Sequence, residues 1–344
     1  MKKFIVLLAL GAAAAPSLAN DSSAAIGLGG LELTRNDAIS LDSEDLFLSR
    51  QLVTVKYRFT NTSSKDVETL VSFPLPPLPG GIEGFIESAS VYDWRKQLEF
   101  KTLVDGKPVE LGYHEVVSIT GKPDVKNVEA RLKKLGWPIH YWEDYDFVEK
   151  YIDKLSDAEK DKLISEGLLA REPDSGYVSP NWQVQAHVTR KQVFPAGKTI
   201  MVEHSYKPIS GGSVGGMLTP EYRKDSDYFA EYKANYCIDD NFLKGFDKRF
   251  YTEKKKAKAR GDEYGVAYTE HWLDYVLKSG ANWKGPIKDF RLVVEKEKPD
   301  NLLSLCMTGV KKISPTRFEV RKTNFEPTRD IQILIAEFYN PNAL

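Results

Sequence analysis

The sequence predicts a mainly β protein: an antiparallel β-sandwich architecture, of one or two sandwich-like units, carrying an inserted helical segment. Three observations lead there. Alternating apolar and polar runs of strand length recur along the chain. Turn residues, not helices, separate most of them, which favours antiparallel pairing over a doubly wound parallel sheet. Helical periodicity is confined to residues 123–172 and to a stretch near 240–258.

In chain order, Lys2 and Lys3 precede an uncharged apolar run from Phe4 to Ala15, and Pro16-Ser17-Leu18-Ala19 ends in small residues. This is the pattern of a cleavable export leader over 1–19, cut after Ala19, and its apolar run is shorter than the roughly 20 residues that span a bilayer. The expected location is therefore the periplasm, with no transmembrane anchor left after cleavage. In the β-rich region expected over 20–210, Val53, Val55, Tyr57 and Phe59 alternate with Thr54, Lys56, Arg58 and Thr60, the signature of a half-buried strand. Turn residues Asn61 to Asp66 then lead to a second run, Val67 to Phe73, closed by the proline-rich Pro74 to Gly81. Further strands are expected at 85–94, 98–104, 182–194 and 200–206.

Between them, Val125, Val128, Leu132 and Leu135 share a helix face after Pro123-Asp124, and Gly136 and Pro138 end it. Ser156 and Glu159 form a capping box for a second helix. In the second β-rich region, 211–344, Asp239-Asp240 starts a helix with Phe242, Phe246 and Phe250 on one side. Strands return at 290–295, 302–307, 317–320 and 331–338.

Charge narrows the function. With 48 Lys and Arg against 49 Asp and Glu, a formal net charge of -1, no overall field draws the chain to nucleic acid or an anionic membrane. The two cysteines, Cys237 and Cys306, are expected to form one structural disulfide in an oxidising compartment.

Several segments resemble an uncharacterised family of Gram-negative exported proteins, domain of unknown function forty-four twenty-four. They are Asn20 to Ala25, Gly29-Gly30-Leu31, Ile39 to Leu46, Val71 to Pro76, Phe194 to Gly197, the Gly211-Gly212-Ser213 loop, Gly280 to Pro286 and the two cysteines. The resemblance implies a periplasmic location and brings no activity, cofactor or catalytic residue with it.

Candidate sites follow from residue type. Gly211-Gly212-Ser213-Val214-Gly215 matches a hydrolase nucleophile elbow, with His271 downstream as the base of a serine hydrolase. An elbow needs a strand running into the serine and a helix out of it, whereas this stretch reads as a glycine loop among antiparallel strands. His114, His140, His187, His204 and His271 lack metal-ligand spacing, so neither metal nor cofactor is expected, and His204 reads as a core histidine. Asp42, Glu44 and Asp45 read as a solvated acidic turn. The charge run Lys254 to Lys256 with Lys258 and Arg260 reads as a solvated helix face. The densest unusual composition is Gly136 to Phe147. There, Trp137, His140, Tyr141, Trp142 and Tyr145 suit a ligand with apolar faces and polar edges, such as a saccharide or an envelope protein. The same rings would equally anchor the insertion to the sandwich. The resulting expectation is a non-catalytic binding or interaction module, with a serine hydrolase or an envelope structural protein as alternatives.

Overall fold

The structure is a computed structural model that describes residues 20–339 apart from 28–29, 79–84, 87–93, 123–124, 126, 174, 225 and 262–264. The expected leader, Pro123-Asp124 and most of the strand expected at 85–94 lie outside the described residues; of that strand, Phe85–Ile86 is seen.

The fold is mainly β and built of antiparallel sheets, as the alternation predicts. The largest sheet has eight strands in the order Lys311–Lys312, Arg317–Phe325, Ile287–Glu295, Ile39–Leu48, Val53–Asn61, Thr199–Tyr206, Lys101–Val104 and Lys107–Pro108. Strands from both sides of residue 210 thus share one sheet. Its one parallel pair joins Ile39–Leu48 to Ile287–Glu295. A five-stranded sheet runs Gly30–Thr34, Ser22–Gly27, Val67–Pro74, Trp182–Phe194, Gly112–Ile119. Another runs Leu302–Leu305, Ile331–Tyr339, Ala267–Tyr275, Gly211–Val214, Phe85–Ile86.

All three sheets contribute to one apolar core. Val53, Val55, Tyr57 and Phe59 from the large sheet meet Val71, Phe73 and Val188 from one smaller sheet and Tyr275, Ile331 and Ile333 from the other. Each such side chain removed from water stabilises the fold by about 1.5–3 kcal/mol.

The insertion builds a separate core on the strand Trp182–Phe194. Val128–Leu135 buries Val128 and Leu132 and ends at Gly136 with φ 72°, the left-handed conformation glycine adopts without a Cβ clash. The helix starts after Val125, which is exposed like Leu135, so the expected apolar face is narrower than its spacing implies. Both halves of the Ser156–Glu159 capping box form at the start of Asp157–Ser165. Trp182 sits at the centre, stacked on Trp137 with ring centroids 6.0 Å apart. Near the C-terminus, Asp240–Arg260 is capped by Asp239 and buries Phe242, Phe246 and Phe250 against Tyr268 and Phe338. The run Lys254 to Lys256, Lys258 and Arg260 lies exposed on this helix. Cys237 and Cys306 are disulfide-bonded, with Cα atoms 5.0 Å apart.

Three local expectations are corrected. The acidic cluster is not a turn: Asp42, Glu44 and Asp45 lie in the strand Ile39–Leu48, where Lys288 and Arg291 of the parallel neighbour neutralise Asp42 and Asp45, and Glu44 is buried. Gly211–Val214 is a strand paired with Ala267–Tyr275, not a loop, because backbone pairing needs no side chain. The run expected to start a strand at Leu98 instead ends a short helix, Trp94–Leu98, and the strand begins at Lys101.

Candidate functional site

Backbone chemistry around Pro74 shapes an apolar cleft. Pro74 ends the strand Val67–Pro74, since proline carries no N–H to continue the ladder. The chain nevertheless stays beside Trp182–Phe194: Leu75 N–H donates to Ala186 O at 2.8 Å, and Leu78 and Val184 exchange backbone bonds at 2.8 and 2.7 Å. Pro76 and Pro77, with no donor to contribute, lie between these anchors. They form one wall of a narrow cleft with about 20 Å³ of free volume, faced by Leu98, Tyr206, Ile209, Trp272 and Asp274. A second hollow, with about 10 Å³ of free volume, shares Leu75, Pro76, Leu78 and Ile209 and continues to Glu115, His140 and Trp142. Past Pro76, Pro77 and Asp274 lies a broader polar depression, lined by Gln183, Lys278, Arg329 and Asp330 among others.

The walls are mostly aliphatic, so the few polar atoms determine what could bind. Trp272 Nε1 is already satisfied by Tyr232 Oη at 2.7 Å. His140 Nε2 lies 3.0 Å from Glu115 Oε1. Two atoms differ: Trp142 Nε1 and Asp274 Oδ1 are buried without a hydrogen-bond partner, a state that costs about 1–3 kcal/mol per group. Burial, reinforced by the neighbouring charge of Asp330, pushes the Asp274 carboxyl up to about 6.

The five aromatic and histidine candidates of the insertion separate into three groups. Trp137 is buried in the insertion core, and Tyr141 packs against the same core, 5.0 Å from the Trp182 ring in an edge-on arrangement; both anchor the insertion. His140 and Trp142 line the second hollow. Tyr145 is 97% exposed and stands apart from the cleft.

Ser213 and His271 are close in the sheet but not arranged as a nucleophile and base. Ser213 pairs with Glu270, and Gly212 with His271; because successive side chains of a strand alternate faces, Ser213 and His271 point to opposite sides. The His271 ring instead lies against Arg50, with Nδ1 2.9 Å from the guanidinium, in a cluster with Glu297 and Glu337. Glu270, on the Ser213 side, takes hydrogen bonds from Tyr232 and Tyr268, and burial pushes it up to about 7.

Sequence reasoning did not find Leu75 to Leu78 as a binding wall, nor Trp272 and Asp274. The four-proline run was the available signal: consecutive residues lacking donors, placed at a strand end, force the chain outward and leave a trough beside it.

The sequence profile of an uncharacterised family, described as a domain of unknown function (DUF4424), matches residues 19–334. Among solved structures, the chain is similar to a "putative nutrient binding protein" from Legionella pneumophila subsp. pneumophila str. Philadelphia 1, at 15% identity and a TM-score of 0.40, over 88% of this chain and 68% of that one. No curated protein matches.

Proposed function

We propose, taking as premise that the chain belongs to this family of unknown function, that it is a non-catalytic binding module of the periplasm whose cleft takes an extended apolar segment of an envelope protein. The observation that carries the reading is the pairing of aliphatic walls with two buried orphan polar atoms. Leu75, Pro76, Leu78 and Ile209 offer the apolar surface; Tyr206 and Trp272, which also line it, are buried and present little ring face to a sugar, and Trp142 lies in the second hollow. At either end, Trp142 Nε1 would donate to a peptide carbonyl and Asp274 Oδ1 would accept from a peptide N–H, so binding would satisfy both. The export pattern of residues 1–19 supports the compartment.

Panning a displayed random-peptide library against the mature chain tests this directly. Selected peptides are expected to be apolar, and calorimetric titration should show Trp142→Phe, which keeps the ring and removes the donor, weakening them by roughly 5- to 30-fold. Asp274→Asn should weaken them similarly. Selected peptides indifferent to both substitutions would refute the site; saccharide-array binding lost in the same variants would refute the peptide assignment and leave the cleft in use.

A further inference from the structure

The mature N-terminal residues are buried. Asn20 and Asp21 have no exposed surface, although chain termini ordinarily lie in solvent. Side chains from four strands and the 279–283 segment hold them. Ser279 Oγ donates to Asn20 O at 2.6 Å, Trp283 Nε1 donates to Asp21 O, and Tyr57 and Tyr275 hydroxyls donate to Asn20 Oδ1. Asp21 takes both arms of Arg190, at 2.7 and 3.1 Å, and its Oδ1 lies 3.2 Å from His204 Nε2.

Among the described residues, one carboxyl in this pocket has no ionic partner. Asp21 and Arg190 neutralise each other, and burial outweighs Asp21 in holding the His204 imidazole below its usual range, hence neutral. That leaves Glu44, 1% exposed. Its Oε2 accepts from Asn20 Nδ2 at 2.7 Å, while its Oε1 is buried without a partner. Burial and the nearby Asp21 push its carboxyl up to about 8 despite the Asn20 bond. Without a cation beside it this buried carboxyl keeps its proton at neutral pH, and it ionises only when one arrives.

We infer that the missing cation is the α-ammonium of Asn20, created by cleavage after Ala19, and that leader removal therefore completes and locks the core. The α-nitrogen is four bonds from Asn20 Nδ2, at most about 5 Å away, and Nδ2 already touches Glu44. Cleavage by a leader peptidase of the export machinery adds one water across the Ala19–Asn20 amide, leaving a carboxyl on Ala19 and an amine on Asn20. The amine takes the proton that burial holds on Glu44, and an ammonium–carboxylate pair results with no further proton required. Before cleavage the same nitrogen is a neutral amide, and Glu44 stays protonated. The pairing thus distinguishes processed from unprocessed chain.

Three proteins test this: the mature chain beginning at Asn20, its Glu44→Gln variant, and the mature chain with Gly-Ser added before Asn20. The N-terminal sequence of exported protein should begin at Asn20. In the folded mature chain the α-amine should react with an amine-selective reagent on the order of 100-fold more slowly than in denatured chain, and Glu44→Gln should restore much of that reactivity. Extension should raise the unfolded fraction at a fixed urea concentration by a similar factor, and combining it with Glu44→Gln should add little. An α-amine labelling at the denatured rate, an exported N-terminus other than Asn20, or an extended chain as stable as the mature one would overturn the inference. The extended wild-type chain decides the matter even if Glu44→Gln does not fold.

Discussion

Arg190→Met removes one partner of a fully buried ion pair and should be among the most damaging single substitutions in the chain. The side chains of Arg190 and Asp21 are 2% and 0% exposed, and two charge-assisted hydrogen bonds of 2.7 and 3.1 Å join them. At about 1.5–3 kcal/mol each, these bonds place the loss near 3–6 kcal/mol, in line with the roughly 3–5 kcal/mol for breaking buried pairs. The pH dependence sharpens the expectation. Burial pushes the Asp21 carboxyl up, but Arg190 and His204 together pull it well below the ordinary carboxylate range. In the wild type, this depressed value contributes stability that is full above the unfolded value of about 3.9 and is lost as pH falls from there toward the folded value. Without Arg190, burial dominates and the folded value rises above about 3.9. The variant then binds a proton on folding, so its deficit, already large near pH 4 where the wild-type contribution is nearly complete, grows further toward pH 7. Urea unfolding at pH 4.5 and pH 7 measures both terms. Asp21→Asn combined with Arg190→Met should recover at least half the loss, because no charge is then left unpaired. A deficit below about 1 kcal/mol at pH 7, or one unchanged between the two pH values, would refute this reading of the pocket.

Two further outcomes concern the scaffold. Replacing Cys237 and Cys306 with serine opens a crosslink spanning 69 positions, which the chain-entropy account values at about 4 kcal/mol; urea unfolding with and without reductant should show that loss for the wild type and none for the variant. Trp182→Ala should cost about 3–5 kcal/mol and loosen residues 123–172 selectively in hydrogen exchange, whereas Tyr145→Ala should stay within about 0.5 kcal/mol; equal effects would contradict the division between core and exposed rings.

The parts of the fold that were legible in sequence are those whose cause is local. Val53 to Phe59 alternates because one face of a strand meets a core, and the alternation is visible without knowing the partner. Ser156 with Glu159, and Asp239, cap helices through bonds spanning three residues. What stayed hidden has a distant cause. Asp42 and Asp45 resemble a solvated turn until Lys288 and Arg291 arrive from a strand more than 240 residues later. Gly211–Val214 resembles a loop until Ala267–Tyr275 supplies its ladder. The insertion shows the same limit within one segment. Its composition marked an unusual region, but only the strand Trp182–Phe194 determines that Trp137 faces inward while His140 and Trp142 reach the cleft.

The same reasoning explains why a buried polar pocket is nearly invisible in sequence. Local pattern assigns an acid to solvent because an isolated buried charge is prohibitive, and that inference is sound until a compensating group arrives from elsewhere. For Asp21 that group is Arg190, 169 positions away. For Glu44 the hydrogen-bonding side chain is that of Asn20, 24 positions earlier and adjoining the expected cleavage point. An acid buried in a strand, with one oxygen satisfied by Asn20 and the other by nothing, is therefore the observation from which the pairing with the Asn20 α-ammonium is inferred. Composition and periodicity describe the chain as synthesised; a charge that would appear only on processing enters neither, and what the fold offers toward it is a half-satisfied carboxyl beside the buried Asn20.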